Sequence, residues 1–145
     1  MHGTHLKYNF ESFEMSSIGI GIVGGGYMGK AHSVAFSAVA GVFQTVLRPR
    51  LVTICAQTEA NAEHYRNAYG FEKATSNWKD LIFDPAVEAI VIASPQHTHH
   101  DIAVAALNAG KPVLCEKPLG CSLEESRSMV AAATVSYTHL RAHET

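Results

Sequence analysis

The chain has 145 residues, the length of one domain, and 47% of them are hydrophobic against 17% charged. This composition suffices for a packed core and excludes general disorder. The net charge of −2 argues against a nucleic-acid or anionic-membrane partner, and no run approaches the ~18 apolar residues of a spanning helix. Three cysteines without zinc-type spacing, and no apolar signal region, predict a cytoplasmic protein.

The two ends of the chain lack the pattern of the middle. Residues 1–14 are polar and unpatterned, and Met15 stands directly before an apolar run, so we expect a non-native or unstructured extension there. A substrate-capping arm is the alternative. Helical patterning ends near Thr134, and residues 135–145 resemble the translation of a sequencing-library adapter, which predicts a non-native tail. The predicted domain therefore covers residues 15–134.

Continuous apolar runs in the middle predict strands that are buried on both faces, as in a parallel sheet. These runs are residues 18–23, 51–56, 89–93 and 113–115, and residues 71–74 are a candidate edge strand. Amphipathic stretches lie between them. Strand–helix alternation requires right-handed crossovers, so the sequence predicts an α/β fold with a doubly wound, mostly parallel sheet of about five strands.

Between these strands the sequence predicts helices. The first helix is predicted to face the core with one apolar stripe, formed by Ala31, Val34, Ala35, Ala38, Val39 and Val42. Further helices are predicted over residues 59–69, ending at Gly70, and from an Asn77 cap to residue 83. Another is predicted over residues 98–109, and a Ser-x-x-Glu capping box at Ser122 opens the last helix.

A glycine-rich turn between the first strand and the first helix predicts a dinucleotide site. Gly24 permits a tight turn, Gly26 lets the backbone approach a pyrophosphate, and Gly29 lets the helix pack closely on the strand. Amides at the helix start favour phosphate. Tyr27 and Met28 are expected to flank the cofactor, with helix-start packing as their alternative. A plain strand–helix turn is the alternative for the motif as a whole.

The end of the second strand bears on the choice between NAD and NADP. A carboxylate there would bind the ribose hydroxyls and repel a 2′-phosphate. The sequence instead has Ala56, then Gln57 and Thr58, whose side chains are able to donate to a ribose or to a phosphate. Glu59 is an alternative ribose acceptor or a first-turn helix acid. The sequence therefore predicts NAD or NADP as cofactor without deciding between them.

Two more motifs follow later strands of the predicted sheet. They are Ser94, Pro95 and Gln96 after the fourth strand, and Glu116, Lys117 and Pro118 after the fifth. With the glycine turn, they make residues 18–133 resemble the Gfo/Idh/MocA family of oxidoreductases. The resemblance implies an NAD(P)-binding Rossmann domain. It also implies that the family's separate substrate domain and the sixth strand of the nucleotide domain are missing.

The resemblance implies roles for the motif residues. Lys117 corresponds to the lysine near the nicotinamide and the reacting hydroxyl, and is the predicted catalytic residue. Ser94, Pro95, Gln96, His99, Glu116 and Pro118 are predicted to lie at the cofactor, together with Ala56 and Gln57. Gln96 departs from the family's usual asparagine, and Ala56 departs from the acid often found there. Independently, an alcohol that loses hydride leaves a developing alkoxide, which needs a nearby cation or base.

The function implied is hydride transfer between a nicotinamide cofactor and a sugar, polyol or related secondary alcohol. The isolated fragment is expected to be inactive alone. The expected partners are the dinucleotide and the substrate, without nucleic acid or membrane, and the longer protein is expected to be a homo-oligomer. A non-catalytic dinucleotide sensor is the alternative, because fold does not decide function. His97, His99 and His100 lack acidic partners at ligand spacing, so no metal is predicted.

Overall fold

A computed structural model describes residues 16–136 and 140–142 of the chain. Its strands are β1 Ser16–Val23, β2 Leu47–Cys55, β3 Lys73–Thr75, β4 Ala89–Ile92, β5 Val113–Cys115 and β6 Leu140–Ala142. They form one sheet in the order β3-β2-β1-β4-β5-β6, and every neighbouring pair is parallel. This order reverses beside β1, as in a Rossmann sheet, and it confirms the predicted doubly wound α/β fold.

The helices that have a capping signal begin or end at the predicted residue, and the helix predicted over residues 98–109 is one residue shorter at each end. They are α1 Tyr27–Val42, α2 Glu59–Tyr69, α3 Trp78–Phe83, α4 His99–Asn108 and α5 Leu123–Val135. Thr58, Asn77 and Ser122 cap α2, α3 and α5 by accepting a backbone N–H. Gly70 ends α2 with a φ of 82°, a left-handed conformation that glycine adopts at little cost.

The sheet differs from the predicted one at its two edges and at the start of β2, which begins at Leu47, four residues before the predicted run at residues 51–56. Strand β3 begins two residues later than the candidate strand at residues 71–74, because the Phe71 N–H still belongs to the end of α2, where it donates to the Arg66 carbonyl at 3.1 Å. The expectation of a missing sixth strand was wrong, since β6 pairs in parallel with β5. Strand β6 falls in the segment predicted to be a non-native tail. The predicted N-terminal extension, residues 1–14, lies outside the described residues, as do residues 137–139 and 143–145.

Helix α1 buries a different face from the one predicted. Val34 and Val42 of the predicted stripe are 58% and 68% exposed, whereas Gly29 and Ser33 are buried. The Ser33 hydroxyl donates to the Gly29 carbonyl at 2.7 Å, and that of Ser37 donates to the Ser33 carbonyl at 2.9 Å. These small side chains let the helix approach the sheet closely, and their hydroxyls are satisfied within the helix. The apolar stripe was therefore the wrong guide to the buried face.

Two hydrophobic clusters cover the two faces of the sheet. One contains buried side chains of α3, α4 and α5, among them Leu81, Ile102 and Met129. The other contains Ile22 and Ile54 of the strands, with partly buried residues of α1 and α2 packed against them. The strands are thus covered on both sides, which explains their uninterrupted apolar runs. Among the described residues, no helix is both long and apolar enough to cross a membrane.

Candidate functional site

The predicted motifs meet at one edge of the sheet, because each follows the carboxyl end of a neighbouring strand. Backbone N–H groups join these ends at three points: Gly24 to the carbonyl of Cys55 at 2.8 Å, Ala93 to that of Val23 at 2.8 Å, and Glu116 to that of Ile92 at 2.9 Å. The ends of β2, β1, β4 and β5 therefore lie side by side. Ligands of open α/β sheets bind at such an edge, where the strand order reverses.

The three motif glycines differ in what an added side chain would meet. Gly24 has a φ of +100°, which side chains rarely permit. A Cβ at Gly29 would overlap the Gly24 carbonyl oxygen, so glycine is needed for the close approach of α1 to the turn. A Cβ at Gly26 would meet no atom within 4 Å. The fold itself therefore does not require glycine at Gly26, and the open space beside its backbone fits the approach of a pyrophosphate.

The amino end of α1 is free to receive an anion. Its N-cap residue is Gly26, so no side chain caps the helix, and the first turn contains no acidic residue. The first helical bond runs from the Lys30 N–H to the Gly26 carbonyl at 2.9 Å, so the preceding amides have no acceptor within the helix. Tyr27 is 87% exposed and Met28 is half-buried beside them. Unpaired amides and the helix dipole together favour phosphate at this point.

The middle glycine of the turn, Gly25, is a site residue that the sequence analysis missed. It is buried, and a Cβ there would overlap the ring of Tyr65. Tyr69 stacks on Tyr65 with ring centroids 5.5 Å apart, and its hydroxyl donates to the Gly25 carbonyl at 2.8 Å. Two tyrosines four residues apart on α2 were the available signal, since such residues share one helix face. They support the turn from the side of α2.

The end of β2 offers neither an acid nor a cation at the predicted ribose position. The Ala56 N–H donates to the Thr75 carbonyl at 3.2 Å, and Gln57 is exposed. Thr58 accepts from the Asn61 N–H at 3.2 Å, so its hydroxyl already serves as the cap of α2. Glu59 follows in the first turn of that helix. Gln57, Glu59 and the O–H donor of Thr58 therefore remain for an adenosine ribose.

The loop after β5 presents Lys117 to solvent. Lys117 is exposed, and no carboxylate among the described residues forms an ion pair with its ammonium group. The Lys117–Pro118 peptide bond is cis. Glu116, directly before it, is only 7% exposed. The loop thus combines a buried carboxylate with a free cation at the same sheet edge as the glycine turn.

Two side chains predicted at the cofactor hold this loop to the neighbouring turn. The ring of His99 is 1% exposed, with Nδ1 3.0 Å from the Pro118 carbonyl oxygen and Nε2 2.8 Å from that of Ser94. Gln96 Nε2 donates to the Gly120 carbonyl at 2.8 Å. Carbonyls only accept, so a neutral His99 ring donates to one of them and a doubly protonated ring to both. The polar atoms of His99 are therefore occupied by backbone.

His32 is a second residue that the sequence analysis did not single out. Its Nε2 lies 2.7 Å from Oε1 of Glu116, and the two side chains are 17% and 9% exposed. His32 stands three residues after Gly29, on the second turn of α1. The signal in the sequence was a histidine three residues after the glycine motif, but its partner is 84 residues away and no local pattern indicates it.

The other histidines and the cysteines have different surroundings. His97 is exposed, and His100 lies 2.9 Å from an oxygen of Asp101. Among residues 16–136, no three histidine, cysteine or acidic side chains are grouped so that they could hold a metal.

Burial raises the pKa of the Cys55 thiol to about 11 and that of Cys115 to about 12, so both remain protonated at neutral pH.

A doubly wound parallel sheet with a glycine turn before a free helix amino end defines a dinucleotide-binding domain of the Rossmann class. The motifs at its strand ends are the ones that resemble the Gfo/Idh/MocA family. Comparison of sequences agrees: the chain belongs to the Gfo/Idh/MocA oxidoreductase family with an NAD-binding Rossmann fold, which it matches over residues 18–140. The expected family, fold and nicotinamide cofactor are thereby confirmed.

Several relatives of known function are sugar or polyol dehydrogenases. Levoglucosan dehydrogenase from Pseudarthrobacter phenanthrenivorans is 44% identical over 120 residues, which cover 81% of this chain and 30% of the relative. Inositol 2-dehydrogenase 1 from Saccharopolyspora erythraea is 36% identical over 117 residues, 79% of this chain and 33% of the relative. A structure of levoglucosan dehydrogenase with NADH and levoglucosan superposes with a TM-score of 0.83 at 37% identity, covering 86% of this chain and 34% of that one. The chain spans about a third of these proteins.

Proposed function

We propose that this chain is the nucleotide-binding part of an NAD(P)-dependent dehydrogenase that acts on a secondary alcohol of a sugar or polyol. The observation that carries the proposal is the arrangement of Gly26 and Lys117. They follow β1 and β5, which β4 alone separates, so the two strand ends lie roughly 10 Å apart at ~4.8 Å per strand spacing. One extended ligand is able to contact the free amides of α1 at one end and Lys117 at the other.

Each side of this edge would serve a different part of the dinucleotide. The amides at the start of α1 would hold the pyrophosphate, and Gln57 and Glu59 would face the adenosine ribose beyond β2. The other half of the ligand then extends past β4 toward Glu116 and Lys117. When bound, the nicotinamide supplies the hydride acceptor or donor.

Lys117 would act on the oxygen of the substrate. Oxidation of an alcohol places negative charge on that oxygen as the hydride leaves, and a nearby ammonium group stabilises this charge. Lys117 is exposed and unpaired by any carboxylate of the described residues, so its donors are available to a ligand. A lysine ammonium is compact and strongly charged, which suits both polarising the oxygen and sharing its proton.

The relatives support this substrate class, since two of those named above are dehydrogenases of levoglucosan and of inositol. The proposal extends to a cytoplasmic location, which the free thiols of all three cysteines support. The net charge of −2 supports the expected lack of a nucleic-acid partner. Homo-oligomerisation of the longer protein and inactivity of this fragment alone remain predictions.

The test replaces Lys117 by alanine in a longer protein that contains this domain. We expect turnover to fall about 100-fold or more, as for loss of a general acid–base group, while NAD⁺ affinity measured by calorimetry stays within about twofold. Lys79→Ala removes an exposed lysine that lies over the Trp78 ring, and serves as the matched control. Unchanged turnover in Lys117→Ala would refute the catalytic role. NAD⁺ binding without any turnover on sugars or polyols would favour the sensor.

A further inference from the structure

We propose that His32 is a positioning residue for the nicotinamide half of the dinucleotide, acting through Glu116. This inference rests on the proposed function, because it assigns a task within the same site. The His32 ring on α1 holds the Glu116 carboxylate after β5 at a distance of 2.7 Å. The contact thus joins the helix that carries the phosphate site to the loop that carries Lys117.

The chemistry of the contact defines the donor. An ionised carboxylate only accepts hydrogen bonds, so Nε2 of His32 carries the proton that it donates to Oε1 of Glu116. Both side chains are largely buried, at 17% and 9% exposure, and a hydrogen bond to a charged group is strong in such surroundings. Among the described residues, no other group hydrogen-bonds this carboxylate. One ring nitrogen therefore determines how the carboxylate is oriented.

The second oxygen of Glu116 is the part that remains for a ligand. Among the described residues it makes no hydrogen bond, while Oε1 accepts from His32. A ribose hydroxyl is a donor that such an oxygen accepts. Without the His32 contact the carboxylate would be free to rotate, and the ligand would have to order it on binding.

The position of the pair selects one half of the dinucleotide. In a Rossmann sheet the pyrophosphate lies at the turn after β1 and the adenosine ribose at the end of β2. Strand β5 lies on the opposite side of β1 from β2, with β4 between. Glu116 therefore faces the half of the ligand that contains the nicotinamide ribose, and the adenosine half lies beyond its reach.

This geometry predicts a ligand-dependent effect. Three probes are titrated into the chain by calorimetry: NAD⁺, ADP-ribose and ADP, of which ADP alone lacks the second ribose. In His32→Ala we expect affinity for NAD⁺ and ADP-ribose to fall about fivefold to tenfold, because the ligand must then order the Glu116 side chain, and affinity for ADP to stay within about twofold. A residue that only stabilised the fold would weaken all three ligands alike.

Matched variants separate positioning from folding. His32→Gln places an amide N–H near the position of Nε2, and should restore NAD⁺ affinity to within about twofold of wild type. His64→Ala removes an exposed histidine on α2 and should leave all three affinities unchanged. Because both residues act through one contact, His32→Ala combined with Glu116→Gln should bind NAD⁺ as weakly as Glu116→Gln alone. If His32→Ala does not fold, Glu116→Gln carries the same comparison of ligands.

The outcomes distinguish this inference from the function on which it rests. A wild-type chain that binds neither NAD⁺ nor NADP⁺ overturns the proposed function. A wild-type chain that binds NAD⁺, with His32→Ala weakening all three probes equally or none of them, overturns the role of His32 alone. Additive losses in the double variant overturn it as well, since they would mean that His32 acts independently of Glu116.

Discussion

Replacing Gly26 by alanine should separate the stability of this domain from its binding of ligand. Gly26 has a φ of −67°, which any residue adopts, and an added Cβ meets no atom within 4 Å. Reduced freedom of the unfolded chain stabilises the variant by about 0.4–1 kcal/mol. Alanine is a poorer N-cap than glycine by roughly 0.5–1 kcal/mol. These effects offset each other, so the free energy of unfolding should stay within about 0.5 kcal/mol of wild type.

The same methyl group should interfere with the dinucleotide. It projects into the open space at the amino end of α1, where the pyrophosphate is proposed to approach the Gly26 backbone. A displaced phosphate would lose hydrogen bonds from the unpaired helix amides, each of which is strong because the acceptor is charged. We therefore expect NAD⁺ affinity to fall about tenfold or more, equivalent to about 1.4 kcal/mol.

The assay combines urea unfolding, followed by circular dichroism, with calorimetric titration of NAD⁺. Gly29→Ala is the matched control, because its Cβ would overlap the Gly24 carbonyl oxygen. Overpacking costs about 1–3 kcal/mol. The better helix propensity of alanine offsets about 1 kcal/mol of this cost. We expect a net loss of stability of up to about 2 kcal/mol.

Two results would refute this reasoning. If Gly26→Ala binds NAD⁺ as tightly as wild type, the pyrophosphate does not approach the turn at Gly26. If Gly26→Ala is destabilised as much as Gly29→Ala, the space beside Gly26 is needed by the fold and not by a ligand. Either result would be visible in the same pair of measurements.

Three further predictions concern other parts of the domain. Thiol titration with Ellman's reagent should show rapid reaction of Cys121 alone, since it is exposed while burial raises the pKa of Cys55 to about 11 and of Cys115 to about 12. Asp84→Asn should lower the free energy of unfolding by about 1 kcal/mol near neutral pH, because it removes the carboxylate that pairs with Lys73. The hydrogen bond from Lys73 lowers the pKa of that carboxyl in the folded protein. In urea titrations that difference should shrink as the pH falls from about 4 toward the lowered folded-state pKa, where Asp84 becomes protonated in both states. Ala56→Asp should raise the ratio of NAD⁺ to NADP⁺ affinity about tenfold in calorimetry, because a carboxylate binds the ribose hydroxyls and repels a 2′-phosphate.

Each of these predictions has a result that contradicts it. Rapid modification of Cys55 or Cys115 in the folded chain would mean that the strands open readily. An effect of Asp84→Asn that is the same at all pH values would mean that the residue acts by shape and not by charge. An unchanged affinity ratio in Ala56→Asp would place the adenosine ribose away from the end of β2.

The sequence by itself determined the secondary structure of most of this domain, because the signals are local. Gly70, Asn77 and Ser122 end or begin helices through contacts within a few residues, and the structure has each of them at the predicted position. The apolar runs predicted the strands because side chains on both faces of a parallel sheet are buried. The glycine turn was recognisable because strand, turn and helix are consecutive in the chain.

The tertiary structure alone decided which side chains meet and which helix face is buried. The stripe ending at Val42 is exposed because Gly29 and Ser33 allow a closer approach to the sheet, and the periodicity of apolar residues does not measure that approach. Contacts between His32 and Glu116, or between Gln96 and Gly120, join segments far apart in the chain. Such contacts depend on the order of the strands, and that order arises from packing between distant segments, which no local pattern specifies.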